Sequence, residues 1–163
     1  MKLIHLSALV LLAACQTVPP EMTDTERSEI EAAVTEALQT FIEGGNALDA
    51  TLATSMYDTE ANFVDFGTHY QGQAASRESL ERLFSQFQTW EAAWDKLDVE
   101  VVRPDLALFF GQFTMSRRYV DGRLQETDPF IWVTGRFELT EAGWKLTHSH
   151  LSGAMQMVEN EGG

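Results

Sequence analysis

The chain has 163 residues, which is room for one domain with a sizeable hydrophobic core, since domains typically run to about 100–150 residues. Hydrophobic residues make up 44% and charged residues 22% of it, so the composition is that of a globular protein and excludes a chain that is disordered throughout. The formal net charge of −14 argues against nucleic-acid binding, because phosphate contacts need clustered Lys and Arg, and the only adjacent basic pair is Arg117 and Arg118.

Residues 1–14 are predicted to form an export signal that is not part of the fold. Lys2 precedes an apolar run over residues 3–12, and two small residues follow it. The run is too short to cross a bilayer as a helix, which takes roughly 20 residues. Removal of residues 1–14 takes away Lys2 and leaves 10 of the 11 basic side chains against 25 acidic ones, a formal charge of −15.

Cys15 is the only cysteine of the chain and ends the sequence LAAC, which resembles the lipobox of bacterial lipoproteins. A lone cysteine in an exported protein has no disulfide partner, so the alternative is a free thiol. The resemblance implies acyl chains on Cys15, and two or more such chains hold a protein on a membrane at about 0.8 kcal/mol per buried methylene. Gln16, rather than Asp, implies sorting to the outer membrane of a Gram-negative cell, facing the periplasm. Residues 15–24 are then the lipidated cysteine and a flexible tether.

Three helices are predicted in the first part of a domain that spans residues 25–158. The first has Thr23 or Asp24 as its cap and stops at Gly44–Gly45. A shorter helix covers residues 47–57, and a third begins at Ser76. Apolar residues recur three and four positions apart in the first and third helices, as on one face of an amphipathic helix. These residues are Ile30, Val34, Ala37, Leu38, Phe41 and Ile42, and then Leu80, Leu83, Phe84 and Phe87.

Extended segments are predicted before and after the third helix. The sequence ANFVDFG at residues 61–67 combines β-branched and aromatic residues and ends on a glycine, which is typical of a short strand. Four longer segments follow at 90–103, 105–120, 124–139 and 144–158, separated by the turn signals RPD, DG and EAG. This pattern predicts an antiparallel meander and an α+β domain whose helices cover one face of the sheet. Residues 159–163 are predicted to be a disordered tail.

Three segments together resemble the SnoaL-like branch of the nuclear transport factor 2-like superfamily: FIEGGNALDATLATSMYDTEANFVDFG, YQGQAASRESLERLF and GWKLTHSHLS. The resemblance covers nearly all of residues 26–155, and the last segment is its most specific part. It implies a cone-shaped domain, in which three N-terminal helices pack on a strongly curved antiparallel sheet and a pocket opens at the wide end. It also implies a homodimer through the outer face of the sheet, which agrees with the apolar residues on both faces of the strand around Leu108 and Phe110.

His148 and His150 lie one residue apart in the last predicted strand. Side chains alternate along a strand, so both histidines are predicted to share a face with Trp144, and we expect that face to be the concave one that lines the pocket. A metal site would need a third ligand, and no HExxH, CxxC or second His-x-His is present, so neither a metal nor a cofactor is predicted. The alternatives are acid–base chemistry, or one packed histidine and one that lines the pocket without reacting.

Asp65, in NFVDFG, is the candidate base of a catalytic alternative. Ketosteroid isomerase, from the same superfamily, is similar in carrying an aspartate base at the end of its first strand, although Phe66 replaces a proline here. Its tyrosine donor to the oxyanion would fall at about Leu38, which has no hydroxyl, so steroid isomerisation is disfavoured. Otherwise Asp65 is a turn residue that accepts backbone N–H groups. His69 and Tyr70 follow on the same loop and are predicted to face the pocket mouth, with a solvated His69 as the alternative.

The sequence therefore predicts a lipid-anchored envelope protein whose single domain binds a small, partly apolar organic molecule in an interior pocket. One alternative is a cofactor-free isomerase, dehydratase or hydrolase that uses Asp65 with His148 or His150. The other is a non-catalytic module that binds a protein partner through the outer face of the sheet, since one fold hosts many functions. The predicted pocket residues are Asp65, His69, Tyr70, Trp144, His148 and His150.

Overall fold

The computed structural model describes residues 22–158, so the predicted signal peptide, Cys15, most of the tether and the tail at 159–163 lie outside it. No helix within residues 22–158 is long and apolar enough to cross a membrane. The elements in chain order are α1 (Asp24–Asn46), α2 (Ala50–Ala53), β1 (Tyr57–Asp65), β2 (Thr68–Gln71), α3 (Gly72–Phe84), β3 (Phe87–Arg103), β4 (Leu106–Tyr119), β5 (Leu124–Thr140) and β6 (Gly143–Val158).

The six strands form one curved sheet in the order β2-β1-β6-β5-β4-β3. Strands β3 to β6 are the predicted antiparallel meander, and the predicted α+β class is confirmed. The prediction of an entirely antiparallel sheet is wrong at one pairing, because β1 runs parallel to β6. Parallel neighbours cannot be joined by a tight hairpin and need a long connection. The segment from β2 to β5 provides that connection between β1 and β6.

Helix α1 begins as predicted and runs past its predicted end. Thr23 caps it through a capping box, in which the Thr23 side chain accepts from the Glu26 N–H and the Glu26 carboxylate accepts from the Thr23 N–H. Gly44 does not stop the helix, which continues to Asn46. Its lack of a side chain instead allows α1 to approach α2 closely, because a Cβ atom at Gly44 would overlap the backbone of Ala53.

The second and third helices differ from the predicted bounds. Helix α2 has only four residues, capped by Asp49, whose side chain accepts from the backbone N–H of Leu52 at 2.9 Å. Tyr57, predicted at the end of that helix, begins β1 instead. Helix α3 begins at Gly72, and Ser76, its predicted cap, is buried within it. The short strand β2 was not predicted, since four residues are too few to display an alternating pattern.

The hydrophobic core lies between α1 and the concave face of the sheet. Val34 and Leu38 supply it from the helix, and Phe63, Phe137 and Leu146 supply it from three strands, all of them essentially inaccessible to solvent. Burial of such side chains contributes about 25 cal/mol per Å² of apolar surface and is the main stabilising effect in a domain of this kind. The helices and strands that enclose this core also enclose a cavity beside it.

Strand β6 contains a one-residue bulge at Thr147. Adjacent residues of β5 pair with Leu146 and His148, so Thr147 between them has no partner of its own. The bulge shifts the alternation by one position. Leu146 and Ser149 are therefore both buried on the inner face, whereas His148 and His150 are exposed on the outer face.

Candidate ligand-binding site

A cavity of about 400 Å³ lies between α1, α3 and the concave face of the sheet. Ligand pockets in proteins typically measure about 300–1,000 Å³, so this one has room for a small organic molecule. Apolar and aromatic side chains form most of its wall. The wall residues that carry a hydroxyl, carboxyl or guanidinium group are Tyr57, Asp65, Thr68, Tyr70, Ser76, Ser79, Arg117 and Ser149.

Asp65 provides the only carboxyl group that residues 22–158 place on the cavity wall. It lies two positions after the fully buried Phe63 in β1 and shares the inward face with it. Burial raises the pKa of Asp65 to about 6, while the charge of His150 on the other face acts to lower it. No group within residues 22–158 donates a hydrogen bond that would hold this carboxylate ionised. Asp65 is thus not the turn residue of the alternative prediction, which would accept backbone N–H groups.

A two-residue turn sets the position of Asp65. Phe66 and Gly67 connect β1 to β2 and both have positive φ, 46° and 81°. Glycine adopts this conformation without strain, whereas a residue such as phenylalanine does so at a cost of order 1–3 kcal/mol. The N–H of Phe66 donates to the carbonyl of Leu151 at 3.1 Å, which ties the turn to β6. The Phe66 ring consequently stands on the cavity wall beside the carboxyl group, half exposed to solvent.

Tyr57 is a second ionisable group on the same strand. Its buried ring packs against Phe63, with the ring centroids 4.2 Å apart. Burial raises the pKa of the Tyr57 phenol above its usual value, and the charge of Asp65 raises it further. The phenol therefore remains protonated and able to donate a hydrogen bond. Asp65 and Tyr57 together give one wall of the cavity a proton acceptor and a hydrogen-bond donor.

Hydroxyl groups of β2 and α3 extend the polar part of the wall. Ser79 Oγ donates to Tyr70 Oη at 3.1 Å, which leaves the hydrogen of the Tyr70 hydroxyl available to another acceptor. Ser76 Oγ is buried and has no hydrogen-bond partner within residues 22–158. A buried hydroxyl without a partner costs roughly 1–3 kcal/mol, and a ligand group that reached it would remove that cost.

Arg117 is the only basic side chain that the described part of the chain places on the wall. Its Nε donates to Oε1 of Gln125 at 2.8 Å, and its guanidinium lies 4.6 Å from the ring centre of Phe87 and 5.1 Å from that of Trp90. Burial lowers the pKa of Arg117, while Tyr119 beside it raises the pKa. An arginine remains charged under both influences, so a fixed positive charge faces the cavity.

Two of the six predicted pocket residues, Asp65 and Tyr70, lie on the cavity wall. The prediction is wrong for His148 and His150, which are exposed on the outer face of the sheet. It assumed regular alternation along the last strand, and the bulge at Thr147 reverses the faces.

The prediction is also wrong for His69 and Trp144. His69 points away from the face of its neighbour Tyr70 and is exposed to solvent, with its Nε2 at 3.1 Å from Oδ1 of Asn62. Trp144 lies two positions before Leu146 on β6, where it packs against the hydrophobic core and not on the cavity wall.

The histidines consequently have no access to a molecule inside the cavity. His150 affects Asp65 through its charge, across the sheet, and the predicted acid–base pair of Asp65 with His148 or His150 does not form in the cavity. Over residues 22–158, no group of three or more His, Cys, Asp or Glu side chains is arranged to hold a metal ion.

Tyr57, Arg117 and Ser149 are among the wall residues that were not predicted to line the pocket. The sequence pattern places Tyr57 at the end of a helix, although it begins a strand. Arg117 continues the inward stripe of Phe113 and Met115 at every second position, so its placement was available from the alternation. Ser149 lies between the two histidines, and its inward position depends on the bulge, for which the sequence has no motif.

A family model described as the SnoaL-like domain matches residues 30–157, which is most of the chain. Comparison with curated proteins gives no match.

Several solved structures share the fold at low sequence identity. The hexachlorocyclohexane dehydrochlorinase LinA-type3 from Novosphingobium barchaimii is 14% identical with a TM-score of 0.75, over 85% of this chain and 96% of that one. A nuclear transport factor 2-like superfamily protein from Salmonella enterica is 19% identical with a TM-score of 0.71, over 83% and 99%. A protein from Novosphingobium aromaticivorans assigned as a scytalone dehydratase is 13% identical with a TM-score of 0.74, over 85% and 93%. At these identities the likeness shows the fold alone.

Proposed function

The chain belongs to the SnoaL-like domain family of the nuclear transport factor 2-like superfamily, and from this premise we propose that its cavity binds a small, partly apolar organic molecule. The observation that supports this most directly is a cavity of about 400 Å³ with a mainly apolar wall and few polar groups. An apolar ligand body would gain about 25 cal/mol per Å² of surface removed from water, and the polar groups would orient it.

The two faces of β3 allow a direct test. Ala92 lies on the cavity wall, whereas the adjacent Ala93 is exposed on the opposite face. The substitution Ala92→Trp fills part of the cavity, and Ala93→Trp adds the same side chain outside it. The probe is N-phenyl-1-naphthylamine, an uncharged molecule that fluoresces when it enters an apolar site. Its binding to residues 16–163 is measured by fluorescence titration.

We expect Ala92→Trp to weaken probe binding by about tenfold or more, which corresponds to about 1.4 kcal/mol, and Ala93→Trp to change it little. Thermal melting of both variants serves as the control for folding. Equal binding by both variants, or none by the unsubstituted protein, would contradict the proposal and favour the alternative of a protein-binding module.

The state of Asp65 favours a second function, a cofactor-free proton transfer. A carboxyl group with a pKa of about 6 in an apolar cavity is a stronger base than an ordinary aspartate, and it is ionised at neutral pH. In the proposed step its carboxylate removes a proton from a carbon of the ligand. The C–H electron pair then forms a double bond, and either a leaving group departs with its electrons or a neighbouring carbonyl oxygen takes the charge. The phenol of Tyr57 is placed to donate to such an oxygen or leaving group.

Exchange of carbon-bound hydrogen with D₂O tests this step without knowledge of the natural substrate. The probe is 2-tetralone, a partly apolar ketone with acidic C–H groups, and the exchange is followed by proton NMR. We expect exchange to be faster than in buffer, to rise with pH around a midpoint near 6, and to be lost in Asp65→Asn. The matched control is Asp98→Asn, at an exposed carboxylate on β3. Equal rates for the unsubstituted protein and Asp65→Asn would exclude this role.

We also propose that acyl chains on Cys15 hold this domain at the outer membrane, facing the periplasm, and the LAAC sequence is the support for it. Expression of the full chain in a Gram-negative host with radiolabelled palmitate should label the protein and leave Cys15→Ser unlabelled. Label in Cys15→Ser would contradict the proposal.

The outer face of the sheet supports the proposal of a homodimer. Leu108 and Trp132 are 39% and 42% exposed, and Phe110 packs against Trp132 with ring centroids 5.5 Å apart. An exposed apolar patch of this kind marks an interaction surface. Sedimentation of residues 16–163 should show a dimer that Trp132→Lys dissociates, and a strict monomer at micromolar concentration would exclude it.

A further inference from the structure

Arg117 is a positive charge on the cavity wall for which the described part of the chain supplies no carboxylate. The six ion pairs within residues 22–158 are all exposed, and none includes Arg117, although the sequence has 25 acidic side chains. The paired basic residues are Arg77, Arg82, Lys96, Arg103, Arg123 and Arg136.

The surroundings of Arg117 hold its guanidinium in place without satisfying it. Oε1 of Gln125 accepts from Nε of Arg117 at 2.8 Å and from Oη of Tyr119 at 3.0 Å, which uses both lone pairs of that oxygen. The rings of Phe87 and Trp90 pack against the guanidinium plane. Gln125 accepts from the N–H of Nε, and the Tyr119 hydroxyl also interacts with the guanidinium. Because a guanidinium has five N–H donors, terminal N–H groups remain available to a ligand.

We propose that the ligand is an organic acid, whose carboxylate binds the terminal N–H groups of Arg117 while its apolar body fills the cavity. This inference rests on the proposed binding function and deepens it. Guanidinium and carboxylate form paired, charge-assisted hydrogen bonds, which suit an arginine already fixed by stacking. Burial lowers the pKa of Arg117, which reflects the cost of a partly buried charge that a bound anion would offset.

The position of Arg117 also orients the ligand. Asp65 lies on β1 and Arg117 on β4, so the two residues are three strand spacings apart, roughly 14 Å across the sheet at about 4.8 Å per strand. They are also offset along the strands, because the row of Arg117 meets β6 at Met157 and that of Asp65 meets it at Leu151. A carboxylate at Arg117 therefore keeps away from the like charge of Asp65.

A matched pair of probes tests the inference: 2-naphthoate and 2-naphthamide have the same shape and differ in charge. Their binding to residues 16–163 is measured by isothermal titration calorimetry at neutral pH. We expect the unsubstituted protein to prefer naphthoate by about tenfold or more, Arg117→Gln to abolish that preference, and Arg118→Gln to retain it. Arg118 is the matched control, because it is half-buried on the opposite face of β4 and donates to the Gly122 carbonyl.

The outcomes separate this inference from the proposed function. Equal affinity of the unsubstituted protein for both probes, or an undiminished preference in Arg117→Gln, overturns the role of Arg117 and leaves the binding cavity in place. Binding of neither probe overturns both. If Arg117→Gln does not fold, Arg117→Lys decides, because it keeps the charge and loses the two-pronged geometry. Its preference for naphthoate should fall, and an unchanged preference overturns the inference.

Discussion

Polar side chains on the two faces of β6 differ in their exposure to solvent. On the inner face, Ser149 is buried and lines the cavity, and it faces the same space as the partly buried carboxyl of Asp65. On the outer face, His148 and His150 are exposed, although the sequence around them is the most specific part of the family resemblance. The two histidines that are candidates for acid–base chemistry in the sequence thus lie outside, and the carboxyl group on the cavity wall belongs to an aspartate on the neighbouring strand.

The faces of the residues after Leu146 depend on the fact that Thr147 has no partner on β5. A strand alternates with a period of two, so one unpaired residue exchanges the inner and outer sets beyond it. If Thr147 paired with β5 in regular alternation, both imidazoles would face the cavity, and Ser149 and Leu151 would face water. The chemistry of the interior is therefore determined by the register of β6 as much as by its composition.

Ser149→Asp should have the largest effect, because it places a charge on the buried face of β6. The carboxylate would lose its hydration there without a partner to replace the water. We expect a loss of about 2–4 kcal/mol in the free energy of unfolding at neutral pH, measured by urea titration and circular dichroism.

The control is His148→Asp, which places the same charge one position away on the exposed face of β6. A change of no more than about 0.5 kcal/mol is expected, as for an exposed position. Equal losses of stability in the two variants would mean that Ser149 does not lie on the buried face.

Asp65→Asn should increase the free energy of unfolding, by an intermediate amount, because it removes a charge that is partly buried on the inner face. The pKa of Asp65 is about 6 in the folded protein and near its usual 3.8 in the unfolded chain, so the folded state binds the proton more tightly. The stability of the unsubstituted protein should therefore fall as the pH rises from about 4 through 6 and then level off.

The asparagine variant lacks that loss. Its stability should match that of the unsubstituted protein near pH 4 and exceed it by about 1–2 kcal/mol above pH 7. The whole difference in pKa between the folded and unfolded states would correspond to roughly 3 kcal/mol, but solvent partly reaches the carboxyl and reduces the effect. Urea unfolding over this pH range measures the difference, with Asp98→Asn as the exposed control. A variant that is less stable than the unsubstituted protein at every pH would show that Asp65 is structural.

The smallest expected effect is a difference between His148 and His150 in their influence on the pKa of Asp65. His150 lowers the pKa of Asp65 through its charge, so His150→Gln should raise that pKa further, whereas His148→Gln should leave it unchanged. Both variants should change stability by no more than about 0.5 kcal/mol, as expected for exposed positions. NMR titration of the Asp65 carboxyl carbon measures the shift. A lower pKa in His150→Gln would contradict the arrangement of the two faces.

Much of the fold was predictable because its signals are local. The capping box at Thr23 and the apolar spacing of α1 indicate that helix, and the turn signals separate the four long strands near their observed ends. The parallel pairing of β1 with β6 was not predictable from pattern, since it joins segments at opposite ends of the domain. The end of α1 was misjudged because Gly44 permits close packing and does not terminate the helix.

The candidate site was predictable only in part, for the same physical reason. Asp65 and Tyr70 follow from a strand and a turn whose alternation is regular. The histidines do not, because a bulge is decided by pairing with β5 and has no composition of its own. Arg117 was visible in the alternation of β4, yet its importance appears only when the structure shows that no carboxylate of residues 22–158 pairs with it.

The parallel pairing of β1 has a consequence for the order of events in time. The strand that carries Asp65 lies between β2 and β6, and β6 is the last strand to leave the ribosome. Pairings between segments so far apart in sequence form late and slowly compared with helices and hairpins. Until Leu151 arrives to accept from the N–H of Phe66, Asp65 is an ordinary hydrated aspartate. Its unusual basicity is acquired only when synthesis of the domain is complete.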